Sequence, residues 1–262
     1  MSDCCDPNPK SRSRALWRTL WIFGGVIALV LASTCLKAQE PALYLEGGIG
    51  HKQGDFGTST LNKLDLAYGT VGYASSTFDL NVTVPFLRLD AQGGGQDVSN
   101  AGLGDILIRG IHRFVPETAS GSAFDGGVAL KLPTANSDKG LGTGRTDFGG
   151  FMSFHQRWDR IQATLLGGWI QSASMNDAAS QYTSNGIYTA GVGLSYYADS
   201  AKFSVAYEAR GALYQGTAAP REISLGLFKI LNPKLALRAA FIAGLNDGSP
   251  KTSVGLGLVY WP

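Results

Sequence analysis

Apolar and polar residues alternate with a period of two along almost all of the chain beyond residue 41. In TFDLNVTVPF, Phe78, Leu80, Val82, Val84 and Phe86 share one face, and Asp79, Asn81 and Thr83 share the other. KFSVAYEAR sets Phe203, Val205, Tyr207 and Ala209 against Lys202, Ser204, Ala206, Glu208 and Arg210. KLALRAAFIAG sets Leu235, Leu237 and Phe241 against Arg238, and TSVGLGLVYW sets Val254, Leu256, Leu258 and Tyr260 against small residues. Alternation of this kind marks strands whose two faces meet different surroundings. It predicts an all-β chain of about twelve strands, over 42–51, 63–74, 77–88, 103–115, 123–132, 146–157, 160–171, 186–197, 201–213, 221–231, 234–244 and 252–261. No helix of useful length fits between them.

The connections alternate in length. ASST, QRWDR, YADSA and NPK are tight, and PETASGSA on the same side is intermediate. KQGDFGTSTLN, DAQGGGQDVSNAG, PTANSDKGLGTGR, QSASMNDAASQYTS, QGTAAP and NDGSP are longer and hydrophilic. Short turns at one end, long loops at the other and both termini at the short end predict a transmembrane antiparallel up-and-down β-barrel. Unpaired backbone groups cost several kcal/mol in hydrocarbon, so a sheet sits there only when it closes on itself. Closure requires apolar side chains outward and polar ones inward. Glycines at expected inward sites (Gly69, Gly127, Gly149, Gly226, Gly255) relieve crowding. Aromatics near strand ends (Tyr44, Tyr73, Phe86, Trp158, Trp169, Tyr196, Tyr260, Trp261) suit interfacial girdles.

The amino end changes the domain count. Lys10, Arg12, Arg14 and Arg18 precede the apolar run TLWIFGGVIALVLAS, and LKAQE offers a small residue at Ala38. Residues 1–38 therefore read as a signal peptide, with the barrel over 39–262. An uncleaved anchor over Thr19–Leu36 and a lipidated Cys35 are the alternatives, and each also exports the rest. Cys4, Cys5 and Cys35 all precede Ala38, which leaves the barrel without disulfide or thiolate chemistry. Five cations and two carboxylates lie in those 38 residues, so the whole-chain net of +2 becomes −1 beyond them. That balance excludes an electrostatic nucleic-acid binder. Glycine, at 35 of 262 residues, is nearly twice its usual share, and the 16% of charged residues is low, as a lipid-facing sheet requires.

The loop KLPTANSDKGLGTGRTDFGG has the glycines, cations and hydroxyls of a phosphate cradle, but not the spacing. Lys139 stands where the first glycine of a P-loop belongs, and Arg145 stands where the third glycine of a dinucleotide fingerprint belongs. Alternation, not a helix, follows. LPTANSDKGLGTGRTDFG instead resembles the "LPTG…GLGTGKTD" signature of the outer-membrane barrels named for the MetA-pathway (meta-pathway) of phenol degradation. VPFLRLD and GLGDILIRG are similar to that family's early strands. Ala135 replaces a usual Gly, Arg145 a common Lys, and Trp261-Pro262 the usual terminal aromatic. The resemblance implies a bacterial outer-membrane channel that admits hydrophobic or aromatic small molecules.

Candidate chemistry is sparse. Ser184-Asn185-Gly186 is similar to part of an outer-membrane phospholipase motif, but Tyr182 occupies the His position, which leaves the serine without a base. His51, His112 and His155 fall on three strands with no carboxylate at ligand spacing, so no metal or other cofactor is expected. Alternation places Glu46, Asp65, Asp79, Asp105, Arg109, Arg113, Lys131, Asp147, Arg157, Lys202, Glu208, Arg210, Glu222 and Arg238 in or near the lumen, with the two signs balanced. Of these, Asp105, Arg109, Lys131, Asp147, Glu208 and Arg238 are expected to govern passage. Phe56, Leu141, Arg145 and Met175 in the outer loops are expected to meet the solute. The expected function is a passive channel for small hydrophobic or aromatic solutes, in contact with outer-membrane lipid and inserted by the outer-membrane assembly machinery. The alternative is a sealed barrel that binds partners through its outer loops.

Overall fold

A computed structural model describes residues 42–55, 60–93, 97–118, 120–172, 186–212 and 218–262. The expected signal peptide and its cleavage point after Ala38, with Phe56, Met175 and the Tyr182–Asn185 segment, lie outside the described residues. Those described hold no helix. The strands are β1 (Ala42–Gly54), β2 (Leu61–Ala74), β3 (Phe78–Gln92), β4 (Val98–Leu103), β5 (Ile106–Val115), β6 (Gly121–Leu132) and β7 (Asp147–Trp158). They continue as β8 (Ile161–Ser172), β9 (Ile187–Tyr197), β10 (Ala201–Arg210), β11 (Arg221–Asn232), β12 (Leu235–Gly244) and β13 (Thr252–Tyr260).

Strands adjacent in the sheet pair antiparallel, and β1 pairs with β13 from Leu45↔Tyr260 to Gln53↔Thr252, so the sheet closes on itself. The thirteen segments make twelve staves, because β4 and β5 share β3. Phe86–Ala91 pairs with β4, and Phe78–Thr83 pairs with β5. Between them the register slips by one residue at Gly104–Asp105, a bulge opposite Pro85. The Gly104 amide donates to the Pro85 carbonyl at 2.8 Å. Pro85 has no N–H to return, and the bulge lies where that donor is missing. Thr134 repairs the gap: its hydroxyl donates to the Gly104 carbonyl at 3.1 Å and accepts from the Ile106 amide at 2.9 Å.

The faces are inverted relative to a water-soluble sheet. Leu45, Ile49, Val71, Phe86, Met152, Val192 and Leu256 are exposed on the wall, whereas Asp79, Asp147, Gln162, Lys202 and Glu222 are buried inside. Lipid is the solvent that makes this arrangement stable. Tyr73, Trp158, Tyr196 and Tyr260 lie outward as girdle residues should.

Three sequence expectations are corrected by the register. Tyr44 is buried and packs with Ala74, Phe228, Ala236 and Val259 inside the barrel, since its neighbours Leu43 and Leu45 take the lipid face. Gly69 pairs with Gly47 on the outer face. Asp65 also faces outward: it pairs with His51, and their side chains meet at 2.7 Å near the loop end of the wall. There the stave leaves hydrocarbon, and charge no longer reports which side a residue faces.

Candidate functional site

Side chains fill one half of the lumen. Ile111, Phe151, Leu166 and Ala206 form an apolar cluster against β5, β7, β8 and β10. Beside it His155, 1% exposed, contacts Thr164 at 2.9 Å, Ser153 at 3.1 Å and Asp125 at 3.2 Å. His51 and His155 each meet one carboxylate, Asp65 and Asp125, supplied by a neighbouring strand and so invisible to spacing along the chain. Neither contact makes a metal centre: no group of three ligating side chains occurs among the described residues. Toward the short-turn end, Glu117 folds under the wall to bond Arg157 at 3.1 Å and the Tyr197 hydroxyl at 2.7 Å. The Arg157 guanidinium lies 3.8 Å from the Tyr197 ring centroid.

The other half holds a cavity of about 330 Å³. Its floor is set by glycines that let tyrosines lie flat on the wall. A Cβ on Gly48 would stand 2.6 Å from the Tyr68 ring, and one on Gly72 would stand 2.2 Å from Tyr44. Tyr68 donates to Glu46 at 2.8 Å, and Arg238 reaches across β13 at Gly257 to bind the same carboxylate at 2.9 and 3.1 Å. Asp79 accepts from Asn81 at 2.9 Å and lies 3.4 Å from the Tyr44 hydroxyl. Arg109 lines the cavity within electrostatic range of Asp79, Glu46 and Arg238.

The loop between β6 and β7 covers the outer side of this cavity. Lys131 contacts Asp147 at 2.5 Å, Asp105 at 3.2 Å and the Thr143 hydroxyl. Asp105 also accepts from the Ala135 amide at 3.0 Å. A Cβ on Gly142 would stand 2.6 Å from the Asp105 carboxylate, so a side chain is excluded there. Gly140 and Gly144 have φ of 72° and 69°, conformations that glycine adopts without strain. The glycines and hydroxyls that imitated a phosphate cradle thus fold the loop against the barrel's own charges.

Leu141 is the consequence of that folding. Expected in an outer loop that guides an apolar solute, it is 6% exposed, packs inside on Leu64, Leu87 and Leu89 and lines the cavity. Arg145 remains exposed. Of the six residues expected to govern passage, the structure joins Asp105, Lys131 and Asp147 in one ion-pair group. It sets Arg109 near Arg238, and places Glu208 apart. Glu208 accepts from Thr189 at 3.1 Å and lies 3.4 Å from Arg210, which also pairs with Glu222. Sequence reasoning passed over Tyr68, Thr134 and the leucines of β2 and β3. Even spacing along β2 from Thr70, which lies opposite Glu46, and along β3 from Thr83 is the signal for Tyr68 and the leucines; Thr134, in the loop after β6, carries no such signal.

Solved structures share the architecture. The NanC porin superposes with a TM-score of 0.56 at 10% identity, covering 84% of this chain and 99% of the porin. The β-domain of the Bordetella autotransporter BrkA gives 0.54 at 11% identity, covering 85% of this chain and 99% of that domain. The transport unit of the Escherichia coli autotransporter AIDA-I gives 0.52 at 10% identity, covering 91% and 98%. At such identities the likeness is one of fold, that of an outer-membrane barrel. The sequence matches no curated protein. Residues 50–261, which include every strand of the closed wall from within β1 onward, match the family described as "Putative MetA-pathway of phenol degradation", and the chain belongs to that family.

Proposed function

We propose that the protein is a passive outer-membrane channel for small hydrophobic or aromatic solutes and not an enzyme. The observation that carries this reading is the lumen cavity of about 330 Å³, walled by leucines on one side and by tyrosines and charged groups on the other. A pore for water and salt has no use for a leucine wall, whereas an apolar solute gains about 25 cal/mol for each Å² of apolar surface it buries there. The solute passes the outer mouth when the loop bearing Leu141 lifts. The wall meets outer-membrane lipid, and the chain reaches it through the outer-membrane assembly machinery.

A second reading, a sealed barrel that binds partners through its loops, is favoured by the seating of Leu141 and by the ion pairs under it. Proteoliposomes separate the two. A channel admits toluene-sized neutral aromatics and conducts in planar bilayers. A silent bilayer, with aromatic uptake equal to that of empty liposomes, would leave the sealed barrel as the answer.

A further inference from the structure

The inward charges balance over the whole lumen but not around the open space. The charged side chains that point into the cavity are Lys52, Arg109, Lys131, Lys202 and Arg238 against only Glu46 and Asp105. Both carboxylates are already engaged, Glu46 by Arg238 and Tyr68, and Asp105 by Lys131 and the Ala135 amide. Asp79, behind the cavity, is held by Asn81 and Tyr44.

Arg109 and Lys52 differ from the other three cations: neither has a hydrogen bond or ion pair among the described residues. Of the two, Arg109 carries the planar guanidinium. Arg238, also on the cavity lining, is held by Glu46 through Nη1. A guanidinium that lines the cavity without an ion-pair partner of its own is a costly arrangement that an anion entering the cavity relieves. A planar carboxylate fits this donor pattern, because guanidinium presents parallel N–H groups in a fixed fork. The opposite wall, Leu64, Leu66, Leu87 and Leu89 with Leu141 above, takes only an apolar body.

We propose that the cavity is a binding station for small amphipathic monoanions, an aromatic or aliphatic body bearing one carboxylate, with the carboxylate held by Arg109 and Arg238 and the body laid on the leucine wall. This rests on the channel reading and narrows its solute class. The full-length protein, purified from outer membranes and inserted into planar bilayers, tests it with benzoate, its neutral isostere benzamide, and acetate, each at neutral pH. Benzoate is expected to interrupt the single-channel current at concentrations at least tenfold below those needed for benzamide or acetate. Arg109→Gln abolishes the difference between benzoate and benzamide, and Arg109→Lys keeps part of it. Equal potency of benzoate and benzamide overturns the anion site and leaves a channel for neutral solutes. Equal potency of benzoate and acetate overturns the apolar half of the station. A protein that neither conducts nor passes any probe fails at the channel itself. Should the variants not insert, the three probes on the unaltered protein decide the matter alone.

Discussion

Replacing Leu141 with Ala tests the contact that seats the outer loop in the lumen. The side chain is 6% exposed and packs on Leu64, Leu87 and Leu89. Truncating a leucine so buried costs about 2–5 kcal/mol, according to how far the site collapses. The loop's ends are fixed separately, by Thr134 at the bulge and by Lys131 between Asp105 and Asp147, so the loss falls on the seating of the loop and not on the wall. At about 1.4 kcal/mol per decade, even the lower figure reduces the ratio of seated to lifted loop roughly 25-fold. In planar bilayers L141A therefore shows longer and more frequent openings than the unaltered protein. L141M, which conserves volume, stays close to it. A folded L141A barrel, recognised by a gel mobility that shifts on boiling, whose current record equals the parent's would show that this leucine does not close the outer mouth.

Lys131→Met leaves the buried carboxylates of Asp105 and Asp147 without its charge. It should cost about 3–5 kcal/mol and lower the temperature at which gel mobility shifts, and adding Asp105→Asn with Asp147→Asn should recover most of the loss. Gly72→Ala forces the Tyr44 ring, which a new Cβ would approach to 2.2 Å, off the wall and toward the lumen. Its conductance should fall, and Tyr44→Ala in the same chain should restore it.

What the sequence reveals follows from which positions lipid constrains. Every second residue of β3 meets hydrocarbon, so Phe78 to Phe86 announce their face without ambiguity, and the sorted loops give the closure. Asp65 misled because the outer end of β2 stands beyond the hydrocarbon, where a charge is as cheap outside as inside. Tyr44 misled because an aromatic at a strand end suits a girdle and a floor equally, although its parity with Glu46 places it within. The pairing of Glu46 with Arg238, 192 residues apart, depends on the register in which β1 meets β13, and no local pattern encodes that. His155 and Asp125 meet for the same reason, on strands joined by the long outer loop. The seating of Leu141 was hidden because LPTANSDKGLGTGRTD is written in residues that turn. The turn's direction is set by Asp105, on a different hairpin.

Pro85 and Thr134 offer the sharpest test of how that loop is tied to the wall. In a regular ladder the residue opposite Gly104 would both accept from its amide and donate to its carbonyl. Pro85 only accepts, and the Thr134 hydroxyl supplies the second bond at 3.1 Å while taking the Ile106 amide at 2.9 Å. Thr134→Val keeps the shape and removes both bonds, leaving a partly buried carbonyl and an amide to find other partners, a loss of about 1–3 kcal/mol. Pro85→Ala restores an N–H aimed at the Gly104 carbonyl, which makes the hydroxyl redundant for that group but not for Ile106. The two substitutions should therefore couple: Thr134→Val in the Pro85→Ala background costs about 1 kcal/mol less than in the parent, measured as urea unfolding of the barrel in detergent micelles. Strictly additive costs would mean that the Gly104 carbonyl draws nothing from Thr134. The loop would then be tied to the wall by the ion pairs at Lys131, the Ala135 amide on Asp105, the packing of Leu141 and the Ile106 amide, and the Gly104 carbonyl at the bulge would have no part in holding the outer mouth shut.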